Sequence, residues 1–352
     1  MKNCKSVKNY IFGKDSLAML GEILQLRKSA RDSIVVYIID EFFKGREIEK
    51  KLPVVNGRDI VIFASTKDEP QADYINLITN KVKEKCSSLP STIIGMGGGS
   101  TMDIAKCISI LLTNPGKAED YQGWDLVKNP PIYKIGIPTI SGTGSEVTRT
   151  AVLTSKIKKL GINSDHSVFD QVIYDSDLLH SVPTEQFFYT AMDCYVHCVE
   201  SLRGSTNDAM TIAFAQKSLN ILNEIFTEKM DFEKLMVASN FGGQAVANSN
   251  VGICHPLSYG LSLVLGLHHG IAICIAFNQL EEYYPEVNNF RKYLKKYQIT
   301  MPQNIVKNVS KDNLERMVAA TLKNEKPLEN AFGKDWKIIF SPTKVKELLL
   351  KM

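Results

Sequence analysis

The residues best suited to chemistry lie in two places. In Ala191-Met192-Asp193-Cys194-Tyr195-Val196-His197, a carboxylate and an imidazole stand four residues apart. On a helix that spacing puts both on one face, one turn above the other. Their flanks are apolar, so the face points inward, where an aspartate is uncommon unless paired or bound to a metal. An internal Asp–His hydrogen bond would satisfy the same pattern, and this helix alone leaves both readings open. The second place is GICHPLSYGLSLVLGLHHG, residues 252–270, an apolar, glycine-broken stretch with His255 and His269 fourteen residues apart. Histidine is scarce: the chain has six, and half of them (His255, His268, His269) fall in this window. Asp193, His197, His255 and His269 together would make a mixed N/O site for a divalent ion such as Fe(II) or Zn(II). His268 competes with His269 for the fourth place. Cys194, Cys198 and Cys254 adjoin the ligands, but neighbouring positions turn off the ligand face, so they read as small apolar packing.

Glycine supplies the second chemistry. The segment STIIGMGGGSTMDIAK, residues 91–106, runs a buried strand into Gly97-Gly98-Gly99-Ser100 and then at once into a helix pattern. Glycines admit a ligand close to the backbone, and a helix N-terminus offers free N–H groups with partial positive charge, which together suit a phosphate. Asp103 falls in the first turn of that helix, where a carboxylate suits the dipole. A tight strand-to-helix turn without a ligand is the bland alternative. A second loop, PTISGTGSE at residues 138–146, also follows a strand and carries Thr139, Ser141, Thr143 and Ser145. Two such loops at adjacent strand ends mark where parallel sheets bind ligands. Asp40 ends an earlier strand, where it could accept from ribose hydroxyls and repel a 2′-phosphate, favouring NAD over NADP. The G-x-G-x-x-G fingerprint is missing.

These residues need two kinds of scaffold. Up to about residue 180, short β-branched runs (33–39, 59–64, 92–96 and 133–137) alternate with helical segments such as 71–85, the pattern of a buried parallel sheet. Beyond Pro183 the texture changes to long helices over 184–202, 207–226 and 232–249, the first starting with Thr184 as its cap. The expected organisation is an α/β dinucleotide-binding domain over 1–180 and an all-α metal-binding domain over 181–352.

Composition narrows the class. The chain has 352 residues, 44% hydrophobic and 23% charged, enough for a large core and two domains. A net charge of +4 without charge blocks gives no argument for nucleic acid or an anionic membrane. Seven cysteines form no C-x-x-C pair, the N-terminus lacks an apolar h-region, and no apolar run nears roughly 20 residues. A cytoplasmic protein with reduced thiols is expected.

GGGSTMDIAK, PTISGTGSEVT, AMDCYVHCVESL and CHPLSYGLSLVLGLHHG occur in the order and spacing of the iron-containing (group III) alcohol dehydrogenases. The resemblance covers essentially the whole chain. It implies that family's architecture, which is also dehydroquinate synthase-like: an α/β domain that binds NAD(P) and a helical domain that holds the metal. It implies metal ligation by Asp193, His197, His255 and His269, and pyrophosphate binding by Gly97, Gly98, Gly99 and Ser100. Thr139, Ile140, Thr143 and Ser145 match the segment around the nicotinamide half, Asp40 the position favouring NAD, and Lys159 a lysine that often contacts the cofactor. Two departures stand out. The family's further histidine, four residues after the third ligand, is Tyr259 here, a candidate to relay the proton in its place. The usual Asp-Pro after the last strand of the first domain is Asp175-Ser176.

The stretch from His255 to Glu286 looks most like the 3-deoxy-D-manno-octulosonate (Kdo) 8-oxidase branch. That branch oxidises the C8 hydroxyl of Kdo to an aldehyde, which a partner aminotransferase converts to the 8-amino sugar of lipopolysaccharide. Arg149 and Arg203 are positional candidates for holding the acid's carboxylate. A dehydrogenase of small alcohols or diols, a dehydroquinate-synthase-like lyase and a non-catalytic role are the rivals. A homodimer is expected.

Overall fold

The computed structural model describes residues 4–27, 33–156 and 158–352. Its contacts divide the chain into two compact units. Among the described residues, the first holds those of 4–141 and 145–181; the second holds Gly142–Gly144 and Val182–Met352.

In the first unit the β-branched runs become strands. In chain order these are β1 (Asn9–Phe12), β2 (Val35–Asp40), β3 (Ile60–Ala64), β4 (Thr92–Gly97), β5 (Gly123–Trp124), β6 (Lys134–Pro138), β7 (Thr150–Thr154), β8 (Lys159–Asn163) and β9 (Gln171–Tyr174). Six of them form a parallel sheet in the order β1-β9-β6-β4-β2-β3. Every residue of β4 and β6 is buried, and every residue of β2 except Asp40 is too, as expected of strands covered on both faces. The helices are α1 (Leu20–Arg27), the single turn α2 (Glu47–Lys50), α3 (Ala72–Lys85) and α4 (Gly99–Leu111). The small sheet β5-β8-β7 joins a parallel pair to an antiparallel one. Ser176 stands where proline was expected, and the Asp175 carboxylate before it accepts from the Asp15, Leu17 and Asp177 N–H groups and so fixes the loop after β9.

The second unit is helical: α5 (Thr184–Arg203), α6 (Ala209–Thr227), α7 (Phe232–Asn248), α8 (Cys254–Leu265), α9 (His269–Asn278), and α10 to α14 between Val287 and Leu350. Pro183, not Thr184, holds the N-cap position of α5, with extended backbone and no side-chain cap. Thr184 is therefore the first helical residue. Asp208 caps α6 by accepting from the Thr211 N–H at 2.8 Å. Fifteen consecutive α5 residues from Phe187 to Ser201 are buried, so this helix is the axis of the unit's core. Among the described residues no helix is long and apolar enough to cross a membrane.

Candidate functional site

Within the first unit, the expected cofactor residues gather at the carboxyl ends of β2, β4 and β6. Gly97 ends β4 opposite Pro138 of β6, and its carbonyl accepts from the Thr139 N–H at 3.0 Å. Gly98 sits at the N-cap of α4 and Gly99 and Ser100 open the helix, so the strand-to-helix turn has the form expected of a phosphate loop. The requirement for glycine at Gly97 is closeness and not unusual torsion: a Cβ there would strike the Thr101 side chain. Ile140 packs beside Gly98. Asp40 joins the group, its Oδ2 accepting from Thr66 Oγ1 at 3.0 Å and Thr101 Oγ1 at 3.4 Å, its Oδ1 from the Phe42 N–H.

Asp103 and Ser145 are brought together, though in a different setting. Asp103 lies in the second turn of α4, and its Oδ1 accepts from Ser145 Oγ at 2.6 Å while Oδ2 accepts from the Val152 N–H at 2.9 Å. Lys106, fully buried, donates to Ser145 Oγ at 3.0 Å and to the Thr148 and Thr150 carbonyls. Burial pushes Asp103 up and Lys106 down from their ordinary values, each partly opposed by the other's charge. Lys159 is buried in β8, its ammonium 3.1 Å from Glu69 Oε2. Thr143 belongs to the segment assigned to the second unit. There Ser239 Oγ on α7 accepts from the Gly142 N–H at 2.9 Å and the Gly144 N–H at 3.3 Å. Gly144, at φ +65°, lies so close to Gly243 that a Cβ would clash with backbone.

The metal-type residues come from three helices of the second unit: Asp193 and His197 from α5, His255 from α8, His269 at the start of α9. Three nitrogens surround one oxygen. From Asp193 Oδ1, His255 Nε2 is 3.4 Å away, His269 Nε2 3.5 Å and His197 Nε2 3.7 Å. Donors about 2.1 Å from a common tetrahedral centre stand about 3.4 Å from one another. Asp193, His197 and His255 are buried, and Asp193 Oδ1 and His255 Nε2 make no hydrogen bond. Leaving such atoms unbonded in the interior is costly, and a cation at their centre removes the cost. Oxygen and imidazole donors suit a divalent ion. The residues fit one. His268 is exposed at the N-cap of α9, so the adjacent pair is resolved in favour of His269.

Charge follows the geometry. Burial alone would raise Asp193, yet the three imidazoles hold its carboxyl well below the ordinary range. Burial lowers His197 to about 4. Burial would lower His255 as well, but the charges of Glu200 and Asp193 and the bond to Glu200 raise it to about 9. Tyr259 is half-buried on α8, its ring 6.3 Å from that of His255 and 5.8 Å from that of His269. The thiols of Cys194, Cys254 and Cys274 are buried and pushed well up, in keeping with packing and not ligation. Arg149 and Arg203, by contrast, are taken up in ion pairs: Arg149 with Asp125 and Asp165, Arg203 with Glu286.

Glu200 went unassigned in the sequence. It is buried on α5, three residues after His197, and its Oε2 lies 2.5 Å from His255 Nδ1. Its place on the Asp193–His197 face was a legible signal, because residues three and four apart share a helical face.

A family model described as iron-containing alcohol dehydrogenase matches residues 8–176, and one described as the C-terminal part of the Fe-containing alcohol dehydrogenase family matches 187–330. The chain is 30% identical over 287 residues to the sulfoacetaldehyde reductase of Bilophila wadsworthia, covering 78% of this chain and 73% of that protein. It is 30% identical over 225 residues to the NAD-dependent methanol dehydrogenase of Bacillus methanolicus, covering 61% and 58%. The match therefore spans under two thirds of the methanol dehydrogenase. The structure of an iron-containing alcohol dehydrogenase from Thermotoga maritima superposes with a TM-score of 0.82 and 23% identity, over 100% of both chains.

Proposed function

The chain belongs to the iron-containing alcohol dehydrogenase family, an oxidoreductase group acting on CH–OH, and from that premise we propose that it oxidises a primary alcohol to an aldehyde with NAD. One observation carries this reading: donor atoms of Asp193, His197 and His255 lie within 4.8 Å of one another in the second unit, with His269 Nε2 3.5 Å from Asp193 Oδ1, and Asp193 Oδ1 and His255 Nε2 are left unbonded. Asp193, His197, His255 and His269 would hold Fe(II) or Zn(II). A bound ion there would supply Lewis acidity toward the substrate hydroxyl, and a bound nicotinamide would supply the hydride acceptor.

The remaining work falls to the chain. Gly97, Gly98, Gly99 and Ser100 present backbone N–H groups to the pyrophosphate, and Asp40 selects NAD over NADP. Thr139, Ile140 and Thr143 line the nicotinamide half, with Lys159 as a further contact. Asp103 and Ser145, whose polar atoms bond each other, hold the second loop in shape. Tyr259, beside two of the ligand rings, is the proton's route from the substrate oxygen.

The finer reading names the substrate as the C8 hydroxyl of Kdo, supported by the wording of residues 255–286, with a PLP-dependent aminotransferase as the functional partner. A second reading, a small uncharged alcohol or diol, is favoured by the ion pairs that occupy Arg149 and Arg203. A substrate panel of Kdo, short alkanols and diols, with Fe(II) or Zn(II) and NAD or NADP, separates them. Kdo should be turned over at least tenfold more efficiently than the alkanols, with NAD preferred. The reverse ranking overturns the Kdo reading alone. Absence of NADH from every alcohol overturns the dehydrogenase reading, whereas net accumulation of NADH excludes a lyase, which returns its hydride.

A further inference from the structure

We propose that Glu200 is a positioning residue that dictates which nitrogen of His255 faces the ion. The inference rests on the reading that this site binds a metal. An imidazole has two nitrogens, and a ligand histidine is useful only if the one facing the ion can give up its proton. At His255 the ion-facing nitrogen is Nε2, 3.4 Å from Asp193 Oδ1. The other, Nδ1, lies 2.5 Å from Glu200 Oε2. A carboxylate there can only accept, so Nδ1 keeps its proton and Nε2 is left for the ion.

Glu200 is itself held in place. It is fully enclosed, and its second oxygen, Oε1, accepts from the Cys254 N–H at 2.6 Å and from the Tyr284 hydroxyl at 3.4 Å. Tyr284 in turn accepts from the Ile253 N–H at 3.4 Å. The backbone that opens α8 is thus bonded to the same carboxylate that orients the α8 ligand. Room for the arrangement comes from Gly252. A Cβ at that position would stand 2.6 Å from the Tyr284 hydroxyl and 3.0 Å from Glu200 Oε1. Residues from α5, from the turn before α8 and from beyond α9 therefore serve one ring.

The arrangement predicts what an amide would do. In Glu200→Gln, one end of the side chain must accept and the other must donate. With its oxygen on the Cys254 N–H, its NH2 meets Nδ1 and drives the imidazole proton to Nε2, the nitrogen aimed at the ion. With the amide reversed, its NH2 opposes the Cys254 N–H. The first outcome sets the wrong tautomer for the ion, and the second opposes two donors at the backbone that carries His255, so both weaken metal binding although the volume is unchanged.

The test measures zinc affinity by competition with a chelator in the full-length protein, for wild type and Glu200→Gln. It also follows the imidazole protons of the zinc-loaded proteins by NMR with 15N-histidine labelling. The wild type should show a slowly exchanging Nδ1 proton on His255, absent or moved to Nε2 in the variant, and zinc should bind the variant roughly 10- to 100-fold more weakly. Equal affinity in a folded Glu200→Gln overturns the inference. So does a wild-type His255 that carries its proton on Nε2, a measurement that stands even if the variant fails to fold. A wild type that binds no zinc or iron would instead refute the metal reading itself.

Discussion

Two buried polar clusters, one in each unit, are built on opposite terms. In the first unit Lys106 donates to Ser145, Ser145 donates to Asp103, and the carboxylate's other oxygen takes the Val152 N–H. Every strong group there has a partner inside the chain, and the result is a brace between α4 and the loop after β6. In the second unit, Asp193, His197, His255 and His269 crowd together while Asp193 Oδ1, His255 Nε2 and His197 Nδ1 make no hydrogen bond. Burial is shared by both. What separates a structural cluster from a functional one is whether its bonds close on themselves.

The contrast can be broken most forcefully at His197. Replacing it with alanine removes a ligand but no hydrogen bond. Turnover should fall roughly a thousandfold or more, corresponding to loss of several kcal/mol of Lewis-acid stabilisation. The urea stability of the metal-free protein should change by only about 1 kcal/mol, because the packing lost with the ring is offset in part by relief of a buried imidazole whose Nδ1 makes no hydrogen bond. A large loss of metal-free stability would erase the distinction. Lys106→Met should show the reverse. Leaving Asp103 buried without its cation should cost about 3 kcal/mol or more in urea unfolding, with zinc affinity unchanged.

Lys134 is an intermediate case that sharpens the comparison. Its ammonium is buried at the start of β6, makes no hydrogen bond, and has Asp170 Oδ2 3.7 Å away. Burial lowers it from 10.5 to about 8 despite Asp170. Between those values the unfolded lysine keeps a proton that the folded one has released, so this group's contribution to stability rises with pH. The buried charge is at its most costly below pH 8, and the relief amounts to about 3 kcal/mol at most. In paired urea titrations, any stability advantage of Lys134→Met over wild type should shrink as pH is raised from 7 to 10. An advantage independent of pH would mean that the lysine keeps its proton in the fold as it does in the unfolded chain.

Legibility followed the range of the interactions. The proposed metal ligands could be singled out because Asp193 and His197 share a helical face and the remaining histidines cluster in a short window. Four strands of the main sheet could be read because burial on both faces leaves continuous apolar runs. Strands β7, β8 and β9 were missed, their segments TAVLT, KLGIN and QVIY being shorter or more polar than those runs. β1 was missed for another reason: it is an edge strand with three of its four residues exposed. Spacing alone did not choose between His268 and His269; the family resemblance chose His269, and the start of α9 leaves His268 exposed. Glu200 lay within a motif already singled out, but its meaning depends on Cys254 and Tyr284, and pairings so distant in the chain leave no local periodicity.

The ligands also have a consequence for folding. Because they come from α5, α8 and α9, the donor set exists only once three separate helices have packed, and the unfolded chain cannot reproduce it. Binding energy at such a site is folding energy. By mass action, each tenfold excess of free ion over its dissociation constant adds about 1.4 kcal/mol to the unit that holds it. Ion supply would then govern not only how fast the protein works but how much of it survives.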